Sequence, residues 1–341
     1  MKQDIAAFLL TFVISLIMTP IVIRLAKATG TMDIPKDDRR MHNKAMPLMG
    51  GLAMYIAIMV GILVYLPINQ KTLSIILGAT IILISGIIDD RKGMSPKTKV
   101  LFQLVAAIIL ILGGVSVDFI TNPFTSSGNV YALGLFAIPL TIFWIVGITN
   151  TINLIDGLDG LAAGVTMIAS FFLMLVAYRF DETKAALLSA MMMGACAGFL
   201  PYNFNPAKIF MGDTGALFLG FMMAVTTIDG VMKSIATVAV VVPIIILGVP
   251  IFDTFFAIVR RTMQGKSFAE ADKNHLHHRL LGKGLTQKKT VLVLYGITAI
   301  FGFTSFLISE ANSTRGVYLS FLILLVSAVG FVLIGRNDKH E

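Results

Sequence analysis

Two amides and two carboxylates recur at spacings of three in Asn150-Thr-Ile-Asn153-Leu-Ile-Asp156-Gly157-Leu158-Asp159-Gly160. They fall between apolar runs at 133–148 and 161–178, both long enough to be helices in a bilayer. Residues i and i+3 share a helix face, so Asn150 and Asn153 are expected to point the same way near the end of the first of these helices. Gly157, Gly160 and Gly164 remove side chains beside the acids, which would let backbone approach a ligand and the next helix pack closely. Carboxylates near hydrocarbon are costly. A polar turn between helices needs one Asp as a cap, so a pair points to function.

Three further stretches carry chemistry. Asp89-Asp90-Arg91-Lys92 is followed by Ser95-Pro96-Lys97-Thr98-Lys99. Adjacent carboxylates repel, and a cation or a shared proton relieves them. Ser95 followed by Pro96 predicts a helix start, which puts Lys97 and Lys99 in a first turn, the wrong end for dipole stabilisation. Both are therefore expected to hold anions. Phe210-Met-Gly-Asp213-Thr214 precedes another apolar run, with Asp213 or Thr214 placed to cap it. A helix N-terminus already attracts anions, and an Asp there competes with one unless it brings a metal. Asp213 is thus the leading Mg²⁺ ligand, while Phe210 offers a stacking face to a base. Finally, His275-Leu-His277-His278-Arg279 lies in the longest polar loop, 260–289. Histidines this dense suit phosphate or metal. The spacing is not that of a helical zinc site, no cysteine accompanies them, and Arg279 favours an anion.

The elements that must position these residues are transmembrane. Of 341 residues, 56% are hydrophobic and 13% charged, with mean hydropathy +0.86. Soluble domains carry about 25% charged residues. A single cysteine, Cys196, rules out an intrachain disulfide and any cysteine-based metal cluster. Eleven apolar segments are counted: 5–23, 48–66, 73–88, 100–117, 133–148, 161–178, 185–200, 215–228, 235–259, 291–308 and 317–334. The loops after odd-numbered segments, with the C-terminal tail, hold 21 of the 27 Lys and Arg residues. The positive-inside rule then puts the N-terminus outside and the C-terminus in the cytoplasm. Basic residues follow the first segment rather than preceding it, so that segment is expected to stay as an anchor. The net charge of +8 follows membrane topology and does not indicate nucleic acid.

Every polar cluster follows an odd-numbered segment, so a single catalytic domain with its site in cytoplasmic loops 24–47, 89–99, 149–160, 201–214 and 260–289 is expected. The first of these carries Asp33, Asp37, Asp38, Arg39, Arg40, His42 and Lys44 and ends in Pro47-Leu-Met-Gly50-Gly51, a glycine pair suited to close backbone approach. The loop at 118–131 lacks basic residues and is read as an ordinary turn region outside. Pro243 and Pro250 predict a bend in the ninth segment, with Asp253 beyond it expected to pair with Arg260 or Arg261. Jointly, the acids and cations suit a divalent cation bridging a diphosphate in phosphoryl transfer. No Walker-type loop is present, which disfavours ATP as donor.

In this combination the chain resembles the polyprenyl-phosphate N-acetylhexosamine-1-phosphate transferases, which start bacterial cell-envelope glycans. The matching elements are Pro47-Leu-Met-Gly-Gly51, Asp89-Asp90 with Ser95-Pro-Lys-Thr-Lys99, Asn150-x-x-Asn153-x-x-Asp156-Gly-x-Asp159-Gly, Asn203 with Phe210-Met-Gly-Asp213, and His275-Leu-His-His-Arg279. They span most of the chain. The resemblance implies an all-α multi-pass protein of the cytoplasmic membrane, possessing Mg²⁺ (or Mn²⁺), UDP-GlcNAc and undecaprenyl phosphate as cofactor and reactants, and suggests a homodimer. It implies that Asp89 and Asp90 mark the lipid-phosphate end, with one of them a candidate base. By the same resemblance Asp156 and Asp159, grouped with the catalytic acids, meet the nucleotide with Asn153, Gly157 and Leu158. Phe210 would stack on uracil near Asn203, Lys99, His277 and His278 would contact phosphates, and His275 and Arg279 of the same motif would bind substrate.

The branch that transfers phospho-MurNAc-pentapeptide has a Pro-x-His-His-His pattern, Pro-Thr-Met-Gly-Gly in the first loop and ten segments. Here the residues are His275-Leu-His-His-Arg279 and Pro47-Leu-Met-Gly-Gly51, which look more like the GlcNAc-1-phosphate branch priming teichoic acid, O-antigen or related polymers. The rival from another class is a secondary transporter with a coupled acid pair. It is disfavoured because only Asp253 lies plainly inside a segment and no internal repeat is visible.

Overall fold

The computed structural model describes residues 2–34, 45–121, 130–233, 240–265 and 275–310, with 318–319, 322–323 and 326 beyond them. The described chain is a bundle of helices, in order α1 (Lys2–Thr29), α2 (Gly51–Tyr65), α3 (Gln70–Lys92), α4 (Pro96–Leu112), α5 (Ala137–Ile155), α6 (Leu161–Arg179), α7 (Thr183–Asn203), α8 (Gly212–Asp229), α9 (Val241–Ile246), α10 (Gly248–Met263), α11 (Leu276–Gly282) and α12 (Gln287–Glu310). Among the described residues, six helical stretches are long and apolar enough to cross a membrane: Lys2–Thr29, Gln70–Lys92, Gly134–Ile155, Leu161–Arg179, Thr183–Asn203 and Gln287–Glu310. The all-helical, multi-pass architecture is therefore as expected. The eleventh apolar segment falls almost entirely outside the described residues, as do the charged groups at 35–44 and 266–274.

Local chemistry explains most boundaries. Asn69 caps α3 by accepting from the Thr72 amide, and Ser95 caps α4 by accepting from Thr98 with Pro96 at the first helical position. The ninth segment breaks as its prolines predict, into α9 and α10 on either side of Leu247. Helix α5 continues past the end of the apolar run at 148 to Ile155, so Asn150 and Asn153 lie in its last turns, as their spacing predicts, within the stretch 149–160 expected as a loop. The segment at 118–131 holds more order than a plain turn. Its ends pair as a short antiparallel ribbon, β3 (Phe119–Thr121) with β4 (Val130–Ala132), just as β1 (Met32–Asp33) pairs with β2 (Met46–Pro47).

Helix α8 is the centre of the bundle. It packs against α3 and α5, with α2, α6 and α7 also in contact, and every residue from Thr214 to Asp229 is buried. Around it, α1 lies on α7 and α2, α6 on α7, and α12 on α6. Outward positions of α1 (Ile5, Leu9, Val13, Ile17, Ile21 and Leu25) repeat every four residues and are exposed, as a lipid-facing stripe requires. At the end of α8 away from the acid clusters, Asp229 accepts from Lys71 at 2.8 Å and from Lys184 at 3.0 Å, which ties the starts of α3 and α7 to the end of α8. A buried carboxylate needs such partners.

Candidate active site

The loop ends that carry the acids converge on the N-terminus of α8. Helix α8 begins at Gly212, and neither Asp213 nor Thr214 caps it with its own side chain. The cap comes from another helix. Asp90 on α3 accepts from the Asp213 amide at 2.9 Å through Oδ1, and from the Thr214 amide at 3.2 Å and the Thr214 hydroxyl at 2.6 Å through Oδ2. These are the donors a helix start leaves unpaired. Gly212 has φ +68, and a Cβ there would meet Asp90 Oδ2 at 2.3 Å, so glycine is needed for both reasons. The adjacent acids thus part company. Asp90 serves α8, while Asp89 Oδ2 accepts from Lys99 Nζ at 2.7 Å.

Lys99 also donates to Asp213 Oδ2 at 2.5 Å, and Asn153 Nδ2 donates to Asp213 Oδ1 at 3.0 Å. Of the two lysines expected to hold anions, Lys99 enters the site and is bound to carboxylates, while Lys97 is exposed. The two amides of α5 also diverge. Asn153 reaches Asp213, whereas Asn150 exchanges two hydrogen bonds with Gln103 of α4 and donates to the Val146 carbonyl. Gln103, 1% exposed, was legible only as an amide inside an apolar run.

Asp156 is half-buried at the end of α5. Burial first, then the charges of Asp213, Asp90 and Asp159, push its pKa up to about 8. Asp159 has a different environment, since its Oδ2 accepts from Asn205 Nδ2 at 2.9 Å and the Ala207 amide at 3.1 Å. Asn203 joins the same loop to the glycine turn, accepting from the Gly160 amide and donating to the Ile209 carbonyl. The glycines expected to admit a ligand partly admit protein instead. A Cβ at Gly164 would overlap the Tyr295 ring, whose hydroxyl donates to the Gly160 carbonyl at 2.5 Å, and one at Gly157 would meet His277 Nε2 at 2.5 Å. Nothing in the sequence marked Tyr295 for this position.

The first loop behaves as its glycine pair predicts. Gly50 and Gly51 donate to the carbonyls of Phe210 and Met211, and the Phe210 amide donates to the Pro47 carbonyl. This places the half-buried Phe210 beside the start of α8; Leu158 is buried in the core. Gly86 of α3 is equally tight, since a Cβ there would lie 2.4 Å from Thr214 Cα.

The histidine segment is anchored by Asp253 of α10. Its Oδ2 lies 2.9 Å from His275 Nδ1, and its Oδ1 accepts from the Leu276 amide at 2.7 Å, fixing the start of α11. Asp253 was expected to serve Arg260 or Arg261; its bonds here run to α11. His277 is buried between His275 and His278, and its Nε2 finds no hydrogen-bond partner among the described residues. Burial, helped by the neighbouring His278 charge, lowers its pKa to about 4. His278 is exposed and Arg279 half-buried.

Carboxylates, a lysine and an amide gathered at one helix start, with a buried histidine against the Gly157 turn, constitute a site for a charged, oxygen-rich substrate. Residues 72–231 match the family model for glycosyl transferase family 4. The chain is 42% identical over 345 residues to a probable undecaprenyl-phosphate N-acetylglucosaminyl 1-phosphate transferase of Bacillus subtilis (strain 168), a match covering 100% of this chain and 95% of that protein. The chain belongs to the polyprenyl-phosphate GlcNAc-1-phosphate transferase family. A decaprenyl-phosphate N-acetylglucosaminephosphotransferase of Mycobacterium tuberculosis (strain ATCC 25618 / H37Rv) is 33% identical, over 93% of this chain and 85% of that protein. A phospho-N-acetylmuramoyl-pentapeptide-transferase of Halalkalibacterium halodurans is also 33% identical, over 86% of this chain and 93% of its own. Membership of a transferase family displaces the transporter alternative.

Proposed function

We propose that the chain transfers GlcNAc-1-phosphate from UDP-GlcNAc to undecaprenyl phosphate, giving lipid-diphosphate-GlcNAc and UMP. The observation that carries this reading is the meeting of Asp89, Lys99, Asn153 and Asp213 at the start of α8. The similarity to the Bacillus protein favours GlcNAc as the sugar. An oxygen of the lipid phosphate attacks the β-phosphorus of UDP-GlcNAc, the bond from that phosphorus to the bridging oxygen breaks, and UMP leaves with the electron pair. The nucleophilic oxygen is already anionic, so the protein's task is chiefly to overcome repulsion between phosphates.

The donor set fits a divalent cation. Asp89 and Asp213 already share one cationic group, and a carboxylate-and-amide set offers the oxygen ligands Mg²⁺ takes. Among the described residues no group of three His, Cys, Asp or Glu side chains is arranged to hold a metal alone, as suits an ion completed by substrate phosphates. Asp213, with Asp89, would hold Mg²⁺ or Mn²⁺, which neutralises the diphosphate when bound. Asp90 is occupied by α8, which leaves Asp89 to face the lipid phosphate and take its proton when it arrives protonated. Asn153 orients Asp213, Gly157 and Leu158 offer backbone to the nucleotide, and Phe210 stacks on uracil. His278 and Arg279 contact phosphate. The site faces the cytoplasm, where UDP-sugars are found, and the product primes a cell-envelope polymer such as a teichoic acid or O-antigen.

The test is UMP release by purified protein with UDP-GlcNAc and undecaprenyl phosphate, with and without Mg²⁺, beside Asp213→Ala. Release that needs lipid and Mg²⁺ and is lost in the variant is the expected result. Turnover of UDP-MurNAc-pentapeptide in place of UDP-GlcNAc would overturn the choice of sugar and move the chain to the sister branch.

A further inference from the structure

We propose that Lys99 is a resident counter-ion, holding Asp89 and Asp213 together until a divalent cation displaces it towards the substrate phosphates. The inference rests on the reading of Asp213 as a cation ligand and adds an order of events to it. Lys99 Nζ lies 2.7 Å from Asp89 Oδ2 and 2.5 Å from Asp213 Oδ2, the short contacts of charge-assisted bonds. It therefore stands between one oxygen of each acid. The other oxygen of Asp213 is engaged by Asn153. A divalent cation drawn to Asp89 and Asp213 would meet the Lys99 ammonium already held between them. An ammonium and a dication cannot share that space, because like charges at such separation repel strongly.

The attachment of Lys99 suits release. It sits in the first turn of α4, where the helix dipole disfavours a cation, so α4 itself does not retain it. Ser95 caps that turn through the Thr98 amide, so the backbone is fixed while the four-carbon stem is free to swing. The lysine side chain is 22% exposed, which leaves a way out towards solvent. Once displaced, the ammonium has lost two anionic partners and gains most from a third, the diphosphate that accompanies the cation. Metal and diphosphate binding are then coupled through one side chain. Lys99 thus keeps the acids assembled before the metal arrives, at the expense of metal affinity.

The test is Mn²⁺ binding, read by electron paramagnetic resonance of free Mn²⁺, on the full chain in lipid nanodiscs. Lys99→Met and Lys99→Gln are expected to bind Mn²⁺ about tenfold or more tighter than the parent, while UMP release falls. Equal or weaker binding in both variants, with parental circular dichroism, overturns the proposal and leaves the metal site standing. Failure of the parent, Lys99→Met and Lys99→Gln alike to bind Mn²⁺ overturns the metal reading itself and the proposal with it. Should both variants fail to fold, the parent decides. Amine labelling of Lys99, followed by peptide mass spectrometry, should rise several-fold on adding Mg²⁺, and labelling that stays level or falls refutes displacement.

Discussion

Asp90→Asn should act through helix α8 rather than through the substrate. The carboxylate accepts from the Asp213 amide, the Thr214 amide and the Thr214 hydroxyl. Asparagine keeps one accepting oxygen and turns an NH₂ towards donors. Loss of a helix cap costs about 1 kcal/mol, within a range of roughly 0.5–2. Loss of a negative charge at a helix N-terminus adds about 0.3–1 kcal/mol, and α8 is buried, which puts both figures near their upper ends. Together the expected destabilisation is about 2–3 kcal/mol. For a chain of 341 residues that is a fall in Tm of roughly 3–4 °C by differential scanning fluorimetry. Thr214→Val removes the hydroxyl bond alone and should cost about 1 kcal/mol. The two changes share a contact, so the double variant should lose less than the sum. UMP release should fall in Asp90→Asn with Mn²⁺ binding, because Asp213 sits on the disturbed turn. A thousandfold loss of kcat with Tm and Mn²⁺ binding unchanged would refute the capping role and make Asp90 a group that touches substrate.

Gly86→Ala puts a Cβ against the backbone of Thr214, which cannot yield as a side chain tip would, so activity should drop at least about tenfold even though alanine favours helix; parental activity would show that α3 and α8 can part. Asp253→Asn loses the acceptor for His275 or for the Leu276 amide and should cost about 1–3 kcal/mol, read as a lower Tm and faster proteolysis near α11. His277 has its pKa lowered to about 4 by burial, so the folded state resists its protonation. Its contribution to stability is complete above about pH 6.5 and is lost as pH falls towards 4. The Tm should therefore decline over that window, and His277→Gln should flatten the decline; an identical slope in the variant would place the acid sensitivity elsewhere.

Composition and the basic-residue bias were sufficient to recognise a multi-pass helical protein, because the bilayer imposes length and hydropathy on each lipid-facing helix. The motif residues were legible for a related reason. Charges at the ends of apolar runs have few bland explanations, and Asp89, Lys99, Asn153 and Asp213 do meet. Partnership was harder to foresee. That Asp90 caps α8, that Asn150 pairs with Gln103, and that Asp253 holds His275 are facts about residues far apart in sequence, with no periodicity to reveal them. The ends of helices were less exact: α5 runs to Ile155, past the end of its apolar run at 148, because polar residues in its last turns lower the hydropathy without breaking the helix.

Helix α8 is fastened at both ends to its neighbours, by Asp90 at its start and by Lys71 and Lys184 at its close, and protein surrounds it from Thr214 to Asp229. A rod pinned in this manner is a poor moving part. A pair of spin labels spanning α8 and α3 should therefore keep one separation with and without UDP-GlcNAc. The same rigidity makes α8 the ruler against which the reach of the lipid phosphate and the sugar nucleotide is set: two substrates arriving from different phases, the bilayer and water, are measured from one fixed post.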